Sequence, residues 1–123
     1  MEDPMNDEHR KTWETYVASW KAASIAEKRG LFERCLVREC VYTDPLTRAA
    51  GWDELLAYMV EFHRQVPGGH FVTEQFIAHH GKSMAKWTMR NGQSVVMGEG
   101  VSYAEYDEAF RLTAMTGFFE TPG

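Results

Sequence analysis

The hydrophobic period of this chain changes once, at Pro67-Gly68-Gly69, and that change restricts the fold more than any other feature. Upstream, apolar residues recur at helical spacing. Trp13, Tyr16, Val17 and Trp20 stand at i, i+3, i+4 and i+7, one face of an amphipathic helix. Ser24-Ile25-Ala26-Glu27 has the form of a capping box. It opens a second helix predicted to run to about Val37, burying Ile25, Leu31, Phe32, Cys35 and Leu36. Trp52 to Val66 forms a third, with Leu55, Leu56, Met59 and Phe62 inward, and Pro67 with two glycines stops it. Between the last two helices lies a β-prone run, Cys40 to Thr43, closed by Asp44-Pro45. Proline lacks a donor N–H and holds the residue before it in extended geometry, so a strand ends there.

Downstream the period is two. Phe71–His79, Met84–Arg90, Ser94–Tyr106 and Ala109–Phe119 read as strands. Asn91-Gly92 is a hairpin signal. The order is therefore α-α-β-α-β-β-β-β: an α+β domain, three helices packed on a strongly curved, mainly antiparallel sheet. With 123 residues the chain makes one domain over 8–123, after a flexible N-terminal tail at 1–7.

Composition narrows the partners. The net charge is -5 with no basic stripe, which argues against nucleic acid. No apolar run reaches the length of a membrane span, and the acidic start is unlike a secretory signal. A cytoplasmic location follows as the expectation. Cys35 and Cys40 are too few for a disulfide framework. No His, Asp, Glu and Cys set has metal-ligand spacing, no phosphate-cradling glycine motif occurs and no nucleophile elbow occurs. Neither metal nor cofactor is expected.

The element order, Tyr42-x-Asp44-Pro45 followed by Gly51, the aromatic strand around Trp87, and the ending Thr116-Gly117-Phe118-Phe119 carry a resemblance. From about residue 9 to 119 the chain resembles the nuclear transport factor 2-like (NTF2-like) superfamily, in its SnoaL-like polyketide-cyclase and ketosteroid-isomerase-like branch. The resemblance implies a cone-shaped fold with a pocket at the wide end. It implies cofactor-independent isomerase, cyclase or dehydratase chemistry on an apolar cyclic or polyketide-like compound, or ligand binding without turnover. It also implies a homodimer through the outer sheet face. Asp44 sits where ketosteroid isomerases place their general base, and Tyr16 where they place the oxyanion-holding tyrosine. Their third group, a protonated acid, aligns with Gly100, beside Glu99. The epoxide-hydrolase pattern, an arginine two residues before a strand aspartate, is absent at Arg90 and Arg111.

The candidate catalytic residues are Asp44, Tyr16 and His63. Asp44 is either a general base raised by an apolar mouth or a turn former bonded to backbone N–H groups. Tyr16 is either an oxyanion donor or a ring of the helical stripe. His63 is either a proton carrier near neutral pH or a flank residue of the third helix. Trp20, Trp52, Met59, Trp87 and Met97 are candidate walls for a small apolar or aromatic molecule. Glu99 joins them if a bulge between its flanking glycines turns it inward; strict alternation keeps it outside.

Overall fold

The computed structural model describes residues 4–121. The elements are α1 (Pro4–Lys21), α2 (Ile25–Cys35), β1 (Leu36–Asp44), β2 (Thr47–Ala50), α3 (Gly51–Gln65), β3 (His70–His79), β4 (Lys82–Arg90), β5 (Val96–Tyr106) and β6 (Leu112–Phe118). One six-stranded sheet runs β2-β1-β6-β5-β4-β3. Only β1 and β6 are parallel; the other pairs are antiparallel. The α+β architecture read from the sequence is present, with one strand more than expected. Part of the expected tail, residues 1–3, lies outside the described residues, and α1 already begins at Pro4. No described helix is long and apolar enough to cross a membrane.

The stripe of α1 lies on the concave face of the sheet, with Trp13, Tyr16 and Trp20 buried. Ser24 caps α2, its Oγ accepting from Glu27 N at 3.1 Å. The end of α1 is sealed by Lys28 from that helix. The residue is 1% exposed, and its ammonium donates to the carbonyls of Ser19 (2.9 Å) and Ala22 (2.7 Å). A cation on the last carbonyls of a helix also complements the helix dipole. Ile25, expected inside, is 50% exposed at the first position of α2.

The one strand not expected from the sequence, β2, folds back on β1 around Pro45-Leu46 and pairs Asp44 with Thr47 and Val41 with Ala50. It hands over directly to α3 through Gly51, whose φ of +82° favours glycine. A second glycine is dictated by packing. A Cβ on Gly100 would lie 2.6 Å from both Phe118 O and Trp87 Cη2, so the Trp87 indole rests on bare backbone.

Candidate functional site

Asp44 ends β1 with its carboxylate on the concave side, where four donors meet it. Oδ1 accepts from Leu46 N at 2.8 Å and Thr47 N at 3.1 Å, the turn into β2. Oδ2 accepts from Tyr42 Oη at 2.6 Å and Tyr58 Oη at 2.8 Å. Tyr42 stands two residues earlier on β1 and so shares its face; Tyr58 comes from α3. A carboxylate has about four lone-pair directions, and here each has a donor.

The phenols are held neutral. Burial raises Tyr42 far above its ordinary value, with nearby Tyr16 and the bond to Asp44 adding to it. Tyr58 is raised by burial and then by its bond to Asp44. Tyr16 is raised by burial, partly offset by hydrogen bonding with the Trp20 side chain. Tyr42 and Tyr58 therefore donate their protons to Asp44, and Tyr42 offers its lone pairs, not its proton, to anything beside it.

Beside Tyr42 is a cavity of about 40 Å³ between α1 and the sheet. From α1 it is lined by Trp13, Tyr16, Val17 and Trp20, and from the sheet by Tyr42, Phe71, Trp87, Ser102 and Gly117. Gly117 is its floor: a methyl there would stand 3.6 Å from Asp44 Cβ and 3.8 Å from Ser102 Oγ and Tyr42 Oη. Trp87 Nε1 donates to Ser102 Oγ at 3.0 Å. Trp20 is the hub of the wall, its ring within 5.3–6.1 Å of Phe71, Phe62, Tyr42 and Tyr58. Trp13 Nε1 is buried without a hydrogen-bond partner, an arrangement that costs about 1–3 kcal/mol. The cavity is roughly a quarter of the ~150 Å³ hole that accepts benzene in an engineered core. As it stands it has room for a few waters.

Of the residues expected from the sequence, Tyr16, Trp20 and Trp87 meet at this cavity, with Asp44 behind Tyr42. The others stand elsewhere. His63 is half-buried with Nε2 3.2 Å from Gly69 O, tied to the loop after α3. Met59 is wholly buried in the core. Trp52 donates Nε1 to Val37 O at 2.9 Å and lies under Arg38, 4.4 Å from ring centroid to guanidinium. It edges a second hollow of about 270 Å³ with Arg29, Arg38 and Asp53. The charges there are already engaged, Arg29 with Asp53 at 2.6 Å and Arg38 with the indole.

Met97 and Glu99 both face away from the cavity. The β4–β5 register slips between Met89 and Arg90, leaving Met97 as the extra, 55%-exposed residue. The irregularity thus falls at Met97, and Glu99 keeps the outward phase opposite Thr88. Sequence reasoning missed Tyr42, Tyr58, Phe71, Trp13 and Ser102 as site residues. For Tyr42 the signal was present, since it lies two positions before Asp44. Among the described residues no group of His, Cys, Asp and Glu could hold a metal ion.

A three-helix layer over a bent six-stranded sheet, with a cavity under α1, is the architecture of the NTF2-like superfamily. The SnoaL-like domain model matches residues 13–115, so the chain belongs to the SnoaL-like family. Among solved structures, a candidate isomerase of the SnoaL-like family from Agrobacterium tumefaciens strain C58 aligns with TM-score 0.84 and 20% identity. The alignment covers 94% of this chain and 99% of that one. A candidate SnoaL-like polyketide cyclase from Jannaschia sp. CCS1 aligns with TM-score 0.78 and 10% identity, over 98% and 90%. An LEH-like epoxide hydrolase from M. tuberculosis aligns with TM-score 0.71 and 14% identity, over 95% and 86%. At these identities the likeness is one of fold. No curated protein matches the sequence significantly.

Proposed function

We propose that this protein binds a small, flat, largely apolar molecule in the cavity under α1, and that Asp44 organises the pocket without taking a proton from the ligand. The observation that carries this is the saturation of the Asp44 carboxylate by two backbone N–H groups and two phenols. A general base needs a free lone pair within reach of the proton it removes. Asp44 is not among the lining side chains; the wall in front of it is Tyr42. The rings of Trp20 and Phe71 supply flat apolar surface, and Ser102 and Tyr16 supply the few polar atoms that fix orientation. The test is Asp44→Asn in a screen of cyclic and polyketide-like compounds. Retained ligand binding with lowered thermal stability is expected. A compound turned over by the native chain and left unchanged by a folded, ligand-competent Asp44→Asn variant would sink the proposal.

One observation supports a second reading, an isomerase, cyclase or dehydratase acting by proton transfer. Tyr42 Oη both lines the cavity and bonds Asp44 at 2.6 Å, a two-step path from ligand to carboxylate. In that reading Tyr42→Phe cuts turnover as deeply as Asp44→Asn does. For assembly, we infer a homodimer through the outer sheet face, where Ile77, Met84 and Phe118 are exposed. A monomer by light scattering at micromolar concentration would remove it. The two free, buried thiols, Cys35 and Cys40, fit the reducing cytoplasm.

A further inference from the structure

We infer that Trp87 is the specificity-determining gate of the cavity, and that its indole stands in for the ligand: a planar aromatic ring carrying one N–H or O–H donor to Ser102. The inference rests on the binding reading above and names the class of molecule it admits. Three observations support it. First, the six-membered ring of the indole lies against Gly100, where a methyl group would collide with it and with the Phe118 carbonyl oxygen. The wall has been cut back to receive a ring at that spot. Second, the ring makes a single polar contact, Nε1 to Ser102 Oγ at 3.0 Å, and Ser102 also lines the cavity. A ligand that displaced the indole would inherit both the slot and the acceptor. Third, the ring is half-buried and braced edge-on by Phe71 (5.1 Å between centroids) and Phe119 (6.2 Å), not enclosed by the core.

Size makes the displacement necessary. At about 40 Å³ the cavity as it stands does not hold a benzene ring. Removing the indole joins its slot to the cavity and brings the space to the scale of a bicyclic aromatic. Charge sets the rest of the class. No lysine or arginine lines the cavity, and burial drives the lining phenols away from ionising. An anionic ligand has no counter-charge there, so the occupant carries no negative charge. Because the gate must open before the ligand enters, the observed affinity is the intrinsic one multiplied by the open fraction.

The probes are indole and 1-methylindole; N-methylation removes the donor and adds one methyl group, and the Ser102→Ala change separates the two effects. The Trp87→Ala variant is expected to bind indole about tenfold more tightly than the native chain, by removal of the opening cost. It should prefer indole over 1-methylindole by about fivefold, the scale of one neutral hydrogen bond. Adding Ser102→Ala should erase that preference. In the native chain, indole should move the Trp87 Nε1–H resonance, assigned by its loss in Trp87→Phe, towards that of a solvent-exposed indole. Should Trp87→Ala fail to fold, Trp87→Phe keeps the ring, drops the bond to Ser102, and is expected to bind more tightly than native by a smaller factor. Indole binding with an unmoved Trp87 resonance, or no gain in either variant, overturns the gate and leaves the pocket reading standing. Failure of indole to bind any of the folded proteins overturns both.

Discussion

The two sides of the cavity are built on different terms. On the β1 side, Asp44 collects four hydrogen bonds from a turn, a strand and a helix. The four donors come from three parts of the chain, so moving that carboxylate disturbs β1, β2 and α3 together. On the β4 side, Trp87 has one hydrogen bond and edge-on ring contacts. A neutral hydrogen bond nets about 1 kcal/mol and an aromatic pair about 0.5–1.5 kcal/mol. The first side is a cross-link; the second is a wall that moves at modest cost. The position that fold-level analogy marks as catalytic is therefore one whose carboxylate already holds four hydrogen bonds.

The largest effect that sharpens this contrast is expected in alkali. Burial raises Cys35 to about 12 and Cys40 to about 11, from 9.0 in the unfolded chain. Tyr42, Tyr58 and Tyr16 are likewise raised from 10.0. In every case the folded protein holds a proton that the unfolded one releases. The stability these groups contribute is fully present below pH 9.0 and is lost as pH climbs, first with the thiols and then, above 10, with the phenols. Urea midpoints should be flat between neutral pH and that limit and fall steeply beyond it. Tyr42→Phe should soften the fall, and Trp87→Phe should not. Equal behaviour of the two variants would erase the distinction between the walls.

Next in size is Asp44→Ala. It strands two phenols and two backbone N–H groups in a half-buried site, and about 2–4 kcal/mol of stability should go with them. A smaller loss, under ~1 kcal/mol by denaturant unfolding, would mean the cross-link is ornamental. On the opposite wall, Gly100→Ala inserts a methyl 2.6 Å from Trp87 Cη2. The ring can yield, but the Phe118 carbonyl at the same 2.6 Å cannot without a shift between β5 and β6, so a cost of about 3 kcal/mol is expected, together with a red shift of tryptophan emission as the indole is pushed outward. An unshifted spectrum would indicate that the strand bends instead.

The helical stripes, the Ser24 cap, the break at Pro67 and the meander beyond it were legible because each is a local pattern repeated over several residues. β2 was not. Thr47-Arg48-Ala49-Ala50 is four residues long with no alternation to read, and it exists only because β1 offers it an edge. Met97 was misplaced by a register slip that no periodicity announces. The site was legible in part for the same reason. Tyr42 shares a face with Asp44 by strand alternation, but Tyr58 sits within the α3 stripe between Leu55 and Phe62. Nothing at helical spacing separates a phenol that reaches a carboxylate from a ring that packs. The cavity's closure by Trp87 depends on Gly100 across the strand pair, a relation of register between β4 and β5.

The smallest effect is the one that bears most directly on Asp44. Tyr58 is half-buried and gives Oδ2 its second donor at 2.8 Å. Tyr58→Phe removes that hydroxyl and leaves Tyr42 in place, so the loss of stability should be about 1 kcal/mol. It also frees one lone pair of a carboxylate that otherwise has none to spare. If Asp44 is only a cross-link, the variant melts slightly earlier and its ligand affinity is unchanged, since Tyr58 lies outside the cavity lining. If Asp44 takes protons by way of Tyr42, the freed lone pair alters its basicity, and the pH profile of any turnover must shift while binding does not. A thermal melt and a titration with the same ligand, run on one variant, therefore separate an organising acid from a reacting one.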